Sequence, residues 1–354
     1  MSKRGPVATG VLIALAVIGI LLLLWLISRL SSVVVILILA TLLATGIGPI
    51  IDRITQKPLP PGGWHLPKGA AVILVYLCLI IVLSAIVLVI GTVVVNEGVQ
   101  FAKNAPHYLT EATNALNKLH DKHPSFPSFA GIIARVRDQL GAISSYVYQA
   151  LTKLFGFLGN IVVILVTFVI AYYLLSTERS AKEGILRLIP ASKREEYSET
   201  FAEMGSRMGA WLRGQLFMAF IVGVVIGVGL AIIGLPYAGI IAIVGAVAEM
   251  IPMLGPGVAA IPAVLISLAG PPWKVVVVII FFVLLSQIES NVVFPKVMRH
   301  AVGLNPIITI LALLAGAALA GFMGALLAIP LTAAGQVFYQ RIIVPAVEKA
   351  EQGR

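Results

Sequence analysis

A polytopic, all-helical membrane protein is the fold class that this sequence predicts, and three observations carry the prediction. Apolar residues make up 59% of the 354-residue chain and charged residues only 11%, with a mean hydropathy of +1.03. A water-facing surface needs about 25% charge, so much of this one must face lipid. Second, the apolar runs repeatedly reach the roughly 20 residues that take a helix across a bilayer's hydrocarbon core. Third, the net charge of +10, from 25 Lys and Arg against 15 Asp and Glu, sits in the connections between those runs. That placement argues against a nucleic-acid partner. A single cysteine, Cys78, lies inside an apolar run and excludes an intramolecular disulfide or a thiolate metal cluster.

The elements follow in order. Val7 to Ile27 is too long for a secretory signal core and is followed at once by a second run, Val33 to Ile51, so the pair predicts a helical hairpin. Gly46, Gly48 and Pro49 end the second run before a Pro- and Gly-rich loop, Lys57 to Pro67, with Trp64 at headgroup depth. Gly69 to Val95 and Leu154 to Leu175 are two more spans. Between them lies the longest polar insertion. Its second half places Ile133, Val136, Leu140, Ile143, Val147 and Leu151 on one helical face, and its first half repeats the pattern with Leu109, Ala112, Leu116 and Leu119. A break at His123 to Pro127 predicts a helical hairpin arm. His120 and His123 flank Asp121 there, a pattern too weak to predict a metal site.

The charged segment after the fourth span opens with a capping box, Ser192 with Glu195, and then repeats Tyr197, Phe201, Met204, Met208 and Trp211 at helical spacing. It predicts an amphipathic helix on the membrane surface with Trp211 at the interface, or a partner-binding helix. The remaining runs are Leu216 to Ile233, Tyr237 to Leu268, Val275 to Ile288 and Pro306 to Phe338. The expected organisation is therefore spanning helices in 1–95, an extracytoplasmic arm in 96–153, a span in 154–176 and a cytoplasmic amphipathic segment in 177–212. A transport domain occupies 213–340 and a tail 341–354. Basic residues in the short connections place both termini in the cytoplasm.

Two runs, 237–268 and 306–338, are too long for simple spans, and each is interrupted. Ile251 to Gly257, with Pro252, Gly255, Pro256 and Gly257, breaks the first; Gly316, Gly321 and Gly324 break the second. Backbone groups freed in this way cannot face lipid, and transporters use them to build sites near the midplane. Plain proline kinks are the alternative. Gln215, Pro236 and Pro262 are spaced by 21 and 26 residues, Gln287, Pro306 and Pro330 by 19 and 24, and Ala260-Ile261-Pro262 matches Ala328-Ile329-Pro330. A spanning helix followed by a re-entrant hairpin, repeated in inverted orientation, accounts for the echo.

Glu249 and Glu289 are the only acidic residues between Arg213 and Arg341. A carboxylate inside lipid costs at least about 2.5 kcal/mol to insert, which makes both candidates for moving protons or cations. For Glu289 an ion pair with Lys296 or Arg299 is the structural alternative. The amides of Gln215, Gln287, Asn291 and Asn305 join them as candidate hydrogen-bonding groups for a polar solute.

The run Glu249 to Pro256, the stretch Gln287-Ile288-Glu289-Ser290-Asn291 leading to Pro295-Lys296, and Val302-Gly303-Leu304-Asn305-Pro306 resemble the autoinducer-2 exporter family of bacterial permeases. Arg213-Gly214-Gln215 and Gly321 through Pro330 match it in order. The family's usual histidine before Pro306 is Asn305 here, so a proton-relay role does not carry over to that position. The resemblance implies export of a small molecule such as autoinducer-2, sodium/proton antiport in some relatives, and a homo-oligomer, a pentamer in form.

No phosphate-cradling loop, His-Glu-x-x-His helix or nucleophile elbow is present in the sequence, so neither an enzyme nor direct ATP drive is expected, and no cofactor is implied. Three readings remain. They are a secondary exporter, a cation/proton antiporter, and a structural or partner-binding membrane protein working through its arm.

Overall fold

A computed structural model describes residues 31–56, 66–122, 161–298, 303 and 306–352. The predicted first span, the second half of the arm, Arg299 and Asn305 lie outside the described residues. The described residues form helices joined by short turns: α1 (Ser31–Gln56), α2 (Lys68–Val93), a π-turn (Val94–Gly98), α3 (Val99–Lys122), α4 (Ile161–Ser176), α5 (Glu178–Arg187) and α6 (Arg194–Ile233). Then come α7 (Ala238–Ala248), α8 (Gly255–Leu268), α9 (Pro272–Ile288), a second π-turn (Glu289–Val293), α10 (Phe294–Met298), α11 (Pro306–Phe338), a third π-turn (Tyr339–Ile343) and α12 (Val344–Gln352).

Five of these stretches are long and apolar enough to cross a membrane, and α2 shows what they face. Ile73, Leu77, Ile81, Leu88 and Val89 are 58–71% exposed along it. A continuous bare apolar face on a helix this long suits lipid surroundings. The chain is a multi-pass membrane protein.

Three clusters hold the bundle together. The first joins α1, α2 and α4 through Ala40, Ile51, Ala71, Tyr76 and Ala171. In the second, Val222, Ile226 and Leu230 of α6 meet α7, α8 and α9 through Ile241, Ala259 and Phe282. A third packs Trp211 and Met218 of α6 against Leu42, Met298, Leu327 and Ile329. Helix α6 is thus the central mast, touching every other part of the transport half.

Two expectations about α6 are corrected. There is no Ser192 capping box: Ala191–Lys193 is a 3₁₀ turn, the N-cap is Lys193, and no side chain caps the helix. Nor is there a separate surface helix. Forty residues run unbroken, about 60 Å, twice the hydrocarbon thickness, so the charged segment projects from the membrane as the continuation of a span. Trp211 therefore lies on the buried stripe, 1% exposed, instead of at the interface.

The second predicted run also extends further than expected. Pro49 does not end α1, which continues to Gln56. Proline removes the N–H that would serve the carbonyl of Thr45. Arg213 supplies the missing donor, its Nη1 donating to Thr45 O at 3.3 Å and to Gly46 O at 2.9 Å. The two helices come this close because Gly209 has no side chain; a Cβ there would lie 2.2 Å from Thr45 O.

Both long runs are broken, as the sequence predicts. Helices α7 and α8 have 11 and 14 residues, roughly 16 and 21 Å, too short to cross a 30 Å core. They pack on each other as a hairpin whose tip is 249–254. In α11 the backbone leaves helical geometry at Ala320 (φ −141°, ψ 25°) and Gly321 (φ 59°, ψ −140°). The two halves, 306–319 and 322–338, fold together so closely that a Cβ on Gly316 would be 2.3 Å from Gly324 O. Of the three glycines that mark the second run, Gly321 makes the bend, while Gly316 and Gly324 permit the contact beside it. A long helix followed by a hairpin thus occurs twice.

A buried carboxyl pair at the tip of the first hairpin

Pro252 forbids the continuation of α7, and the chain turns through Met253 in the left-handed region (φ 68°) before α8 starts at Gly255. Pro256 in the first turn of α8 costs nothing, because N–H groups there have no helical partner. Such a turn leaves backbone N–H groups free to point at an anion. Glu249 uses them: its Oε2 accepts from Gly255 N at 3.0 Å and its Oε1 from Met253 N at 3.4 Å. A side chain at position 255 would sit 2.7 Å from Glu249 Oε2, so glycine is required. Gly257 is exposed, and nothing lies within 4 Å of where its Cβ would be.

Glu289 arrives at the same point from α9. It opens the second π-turn, which widens the helix by one residue and rotates the chain beyond it. Its carboxyl lies within hydrogen-bonding reach of the Glu249 carboxyl and of the Met253 N–H. Glu249 is fully buried and Glu289 is 3% exposed. Lys296, the ion-pair partner considered for Glu289, is exposed and pairs with no described carboxylate.

Gln215 completes the cluster from α6. Fully buried, it donates through Nε2 to the backbone carbonyl of Glu249, a group freed by the end of α7. Its Oε1, like Oε1 of Glu289, is buried with no protein donor in reach. The site therefore gathers carboxylate, amide and backbone oxygens in a volume from which water is excluded. Among the described residues no three His, Cys, Asp or Glu side chains group as a metal site.

The other candidates lie elsewhere. Gln287 and Asn291 are exposed and bond to each other, Asn291 Nδ2 donating to Gln287 O at 3.0 Å and to its Oε1 at 2.9 Å. Gly321, Gly324 and Pro330 belong to the second hairpin. One turn of α6 links the two: Gln215 reaches Glu249, while Met218 packs with Leu327 and Ile329 of the second hairpin.

A residue that sequence reasoning missed supports the hairpin from its other end. Glu97, in the first π-turn, accepts from Ile240 N at 2.9 Å, capping the N-terminus of α7. It fits because Gly239 leaves space; a Cβ there would be 2.8 Å from Glu97 Oε1. Close by, Asn104 donates to the Tyr237 hydroxyl at 2.8 Å, and Phe101 and Tyr108 pack edge-on against that ring. Burial and the hydrogen bond with Tyr237 push the Tyr108 phenol up to about 12. The arm thus grips the entry of the hairpin that has the carboxyl pair at its tip. Glu97→Ala is expected to cost about 1 kcal/mol, the usual worth of an N-cap, read as a lowered thermal unfolding midpoint of the purified protein.

Comparison with known proteins follows the same layout. A family model described as AI-2E family transporter matches residues 12–343. "Putative transport protein YueF" of Bacillus subtilis is 26% identical over 78% of each chain. A Mycobacterium tuberculosis protein with the same kind of description is 26% identical over 88% of this chain and 83% of its own. The B. subtilis protein YrrI, again so described, is 34% identical over 46% of each.

Proposed function

This chain belongs to the AI-2E family of transporters, and from that premise we propose that it is a secondary exporter of a small polar molecule, autoinducer-2 being the family's named example, driven through Glu249 and Glu289. The observation that carries the reading is the buried carboxyl pair at the tip of a discontinuous helix. A carboxyl there is expensive to keep unless it titrates or exchanges a cation during the cycle. Gln215 holds the tip in register with the mast, and the hairpins carry the site between the two faces. Both termini and the 177–212 segment are assigned to the cytoplasm and the arm to the outside, following the basic connections. A homo-oligomer, in pentameric form, goes with the family resemblance.

A second reading, sodium or lithium/proton antiport, is favoured by one specific observation. Oε1 of Gln215 and Oε1 of Glu289 are buried acceptors without donors, and oxygen-rich, dry sites are what alkali cations require. Flux in proteoliposomes separates the two. The first reading expects uptake of labelled autoinducer-2 into inverted vesicles under a proton gradient, unchanged by sodium. The antiport reading expects proton movement on addition of sodium or lithium with no organic solute. Neither response in correctly assembled protein would leave the structural reading in front.

A further inference from the structure

Two of the three π-turns share a construction. The second runs Glu289–Val293 and the third Tyr339–Ile343, and each is followed, two residues on, by a proline, Pro295 and Pro345. Each hands over to the next helix through the same wide bond, Phe294 N donating to Glu289 O and Val344 N to Tyr339 O. A proline ring collides with the carbonyl four residues before it and offers that carbonyl no N–H. For Pro295 that carbonyl belongs to Asn291, and for Pro345 to Arg341. One extra residue taken in at this point carries the carbonyl clear of the ring and accounts for the widened turn.

At Glu289 the extra residue also sets the phase of the helix. Val278, Phe282, Leu285 and Glu289 follow one another at steps of four, three and four, the buried stripe of a regular helix. Met298 of α10 is buried too, packed with Trp211 and Met218 of α6 and Leu327 of the second hairpin. Nine residues separate Glu289 from Met298, and at about 3.6 residues per turn an unbroken α-helix would put them roughly half a turn apart. The extra residue brings them to within about a quarter turn. Only with the turn widened can Glu289 meet Glu249 while Met298 meets the mast.

Side chains on the turn hold it open. Asn291 Nδ2 donates to Gln287 O at 3.0 Å and Ser290 Oγ to Ser286 O at 2.7 Å, so two carbonyls entering the turn have side-chain donors. Asn291 also reaches Gln287 Oε1 at 2.9 Å, which ties the two amides across the turn. Both amides are exposed on a stretch apolar enough to span a membrane. Where no water competes, a carbonyl without its donor is costly, and these bonds weigh accordingly.

We propose that Asn291 and Pro295 are positioning residues for Glu289: the proline sets the wide turn, the amide secures it, and together they aim the carboxyl at Glu249. Their bearing on transport rests on the reading that the carboxyl pair drives it. The amides at 287 and 291 then have a task other than meeting solute. Closing the turn with Met298 held in place would give Glu289 the direction that Ile288 has now, 51% exposed, and bring Ser290 to Glu249 in its stead.

Dicyclohexylcarbodiimide, a lipid-soluble reagent for protonated carboxyls, reads that direction. The full-length protein in liposomes is treated at mildly acidic pH, and modification at Glu289 is quantified by peptide mass spectrometry per folded molecule. Thr332, whose hydroxyl donates to Ala328 O at 2.7 Å four residues back, shows which substitution keeps the bond. Asn291→Thr and Asn291→Val differ by little more than that hydroxyl. The valine variant should be labelled about fivefold more than the wild type, the population change that one hydrogen bond makes, and the threonine variant should return towards wild-type labelling. Pro295→Ala, which restores an N–H for the Asn291 carbonyl, should also raise labelling. Val292→Ala, on the exposed side of the same turn, should not. Flux of labelled autoinducer-2 and sodium-triggered proton movement are measured on untreated liposomes of the same variants. Raised labelling with lost transport supports both the positioning role and the carboxyl-driven cycle. Raised labelling with undiminished transport keeps the positioning role and sinks the carboxyl-driven reading. Labelling that is unchanged in Asn291→Val and Pro295→Ala, or equal in the valine and threonine variants, overturns the proposal whatever transport does.

Discussion

Glu249→Gln is expected to leave the protein folded and reduce coupled transport by roughly tenfold or more, corresponding to about 1.4 kcal/mol or more of lost coupling. The amide is isosteric with the carboxyl. Its oxygen can still accept from Gly255 N and its NH₂ can donate to Glu289, so the turn at 249–254 gives up only the long bond from Met253 N. What disappears is the ability to gain and lose a proton or release a cation. If that exchange drives the cycle, the flux that remains should also lose its dependence on pH, because the titrating member of the pair is gone. Glu249→Ala is the contrasting variant. It strands the N–H groups of Met253 and Gly255 and the Glu289 carboxyl in a dry site, at about 1–3 kcal/mol for each group left without a partner. That variant should lose folded protein as well as flux. The measurement is pH-dependent flux in liposomes, normalised to assembled protein, for both variants and for Glu289→Gln. Wild-type flux with an unaltered pH profile in Glu249→Gln would remove the pair from the mechanism.

Much of this arrangement is legible in the sequence, and the parts that are not share a cause. Pro252 and Gly321 announce their breaks because the chemistry is local: one residue lacks an N–H, the other has no Cβ. Glu249 and Glu289 stand out because an acid in an apolar run is costly wherever it points. Direction is what the sequence hides. Gln287 and Glu289 are two residues apart, and periodicity alone makes them equal candidates for the site. The π-turn starting at Glu289 buries the acid and leaves Gln287 exposed beside Asn291. Glu97 is hidden for the same reason: as the first charge after a span it resembles an ordinary interfacial acid, and only the tertiary fold sets it against α7. Arg213 resembles one more basic residue at a span's edge, although it serves two carbonyls beside Pro49 in a helix 167 residues away. The Ser192 box failed through local competition. Pro190 starts a 3₁₀ turn, with Lys193 N donating to Pro190 O at 2.9 Å, and that displaces the helix start past the serine.

The largest expected effect on the fold itself comes from Gly324→Ala in the second hairpin. A Cβ at this position would lie 1.9 Å from Gly316 O and 2.7 Å from Gly316 C, far inside any contact that real atoms make. Both groups are backbone, one in each half of the hairpin, so no rotamer change can relieve the clash; the halves must separate. Overpacking in a core usually costs 1–3 kcal/mol, and a clash with no flexible partner should reach the top of that range, about 3 kcal/mol or more. Separation would also disturb Leu327 and Ile329, which follow within two turns and pack on Trp211 and Met218 of the mast. Gly321→Ala provides the control. Nothing lies within 4 Å of its Cβ, so the only penalty is backbone strain at φ 59°, ψ −140°, on the order of 1–3 kcal/mol. Thermal unfolding of the two variants in the same detergent ranks them. Gly324→Ala should be the less stable, and adding Gly316→Ala to it should cost much less than a second full penalty, because the two changes relieve one shared contact. A Gly324→Ala protein as stable as the wild type would mean that the halves of α11 do not meet at these glycines, and with it would go the re-entrant hairpin.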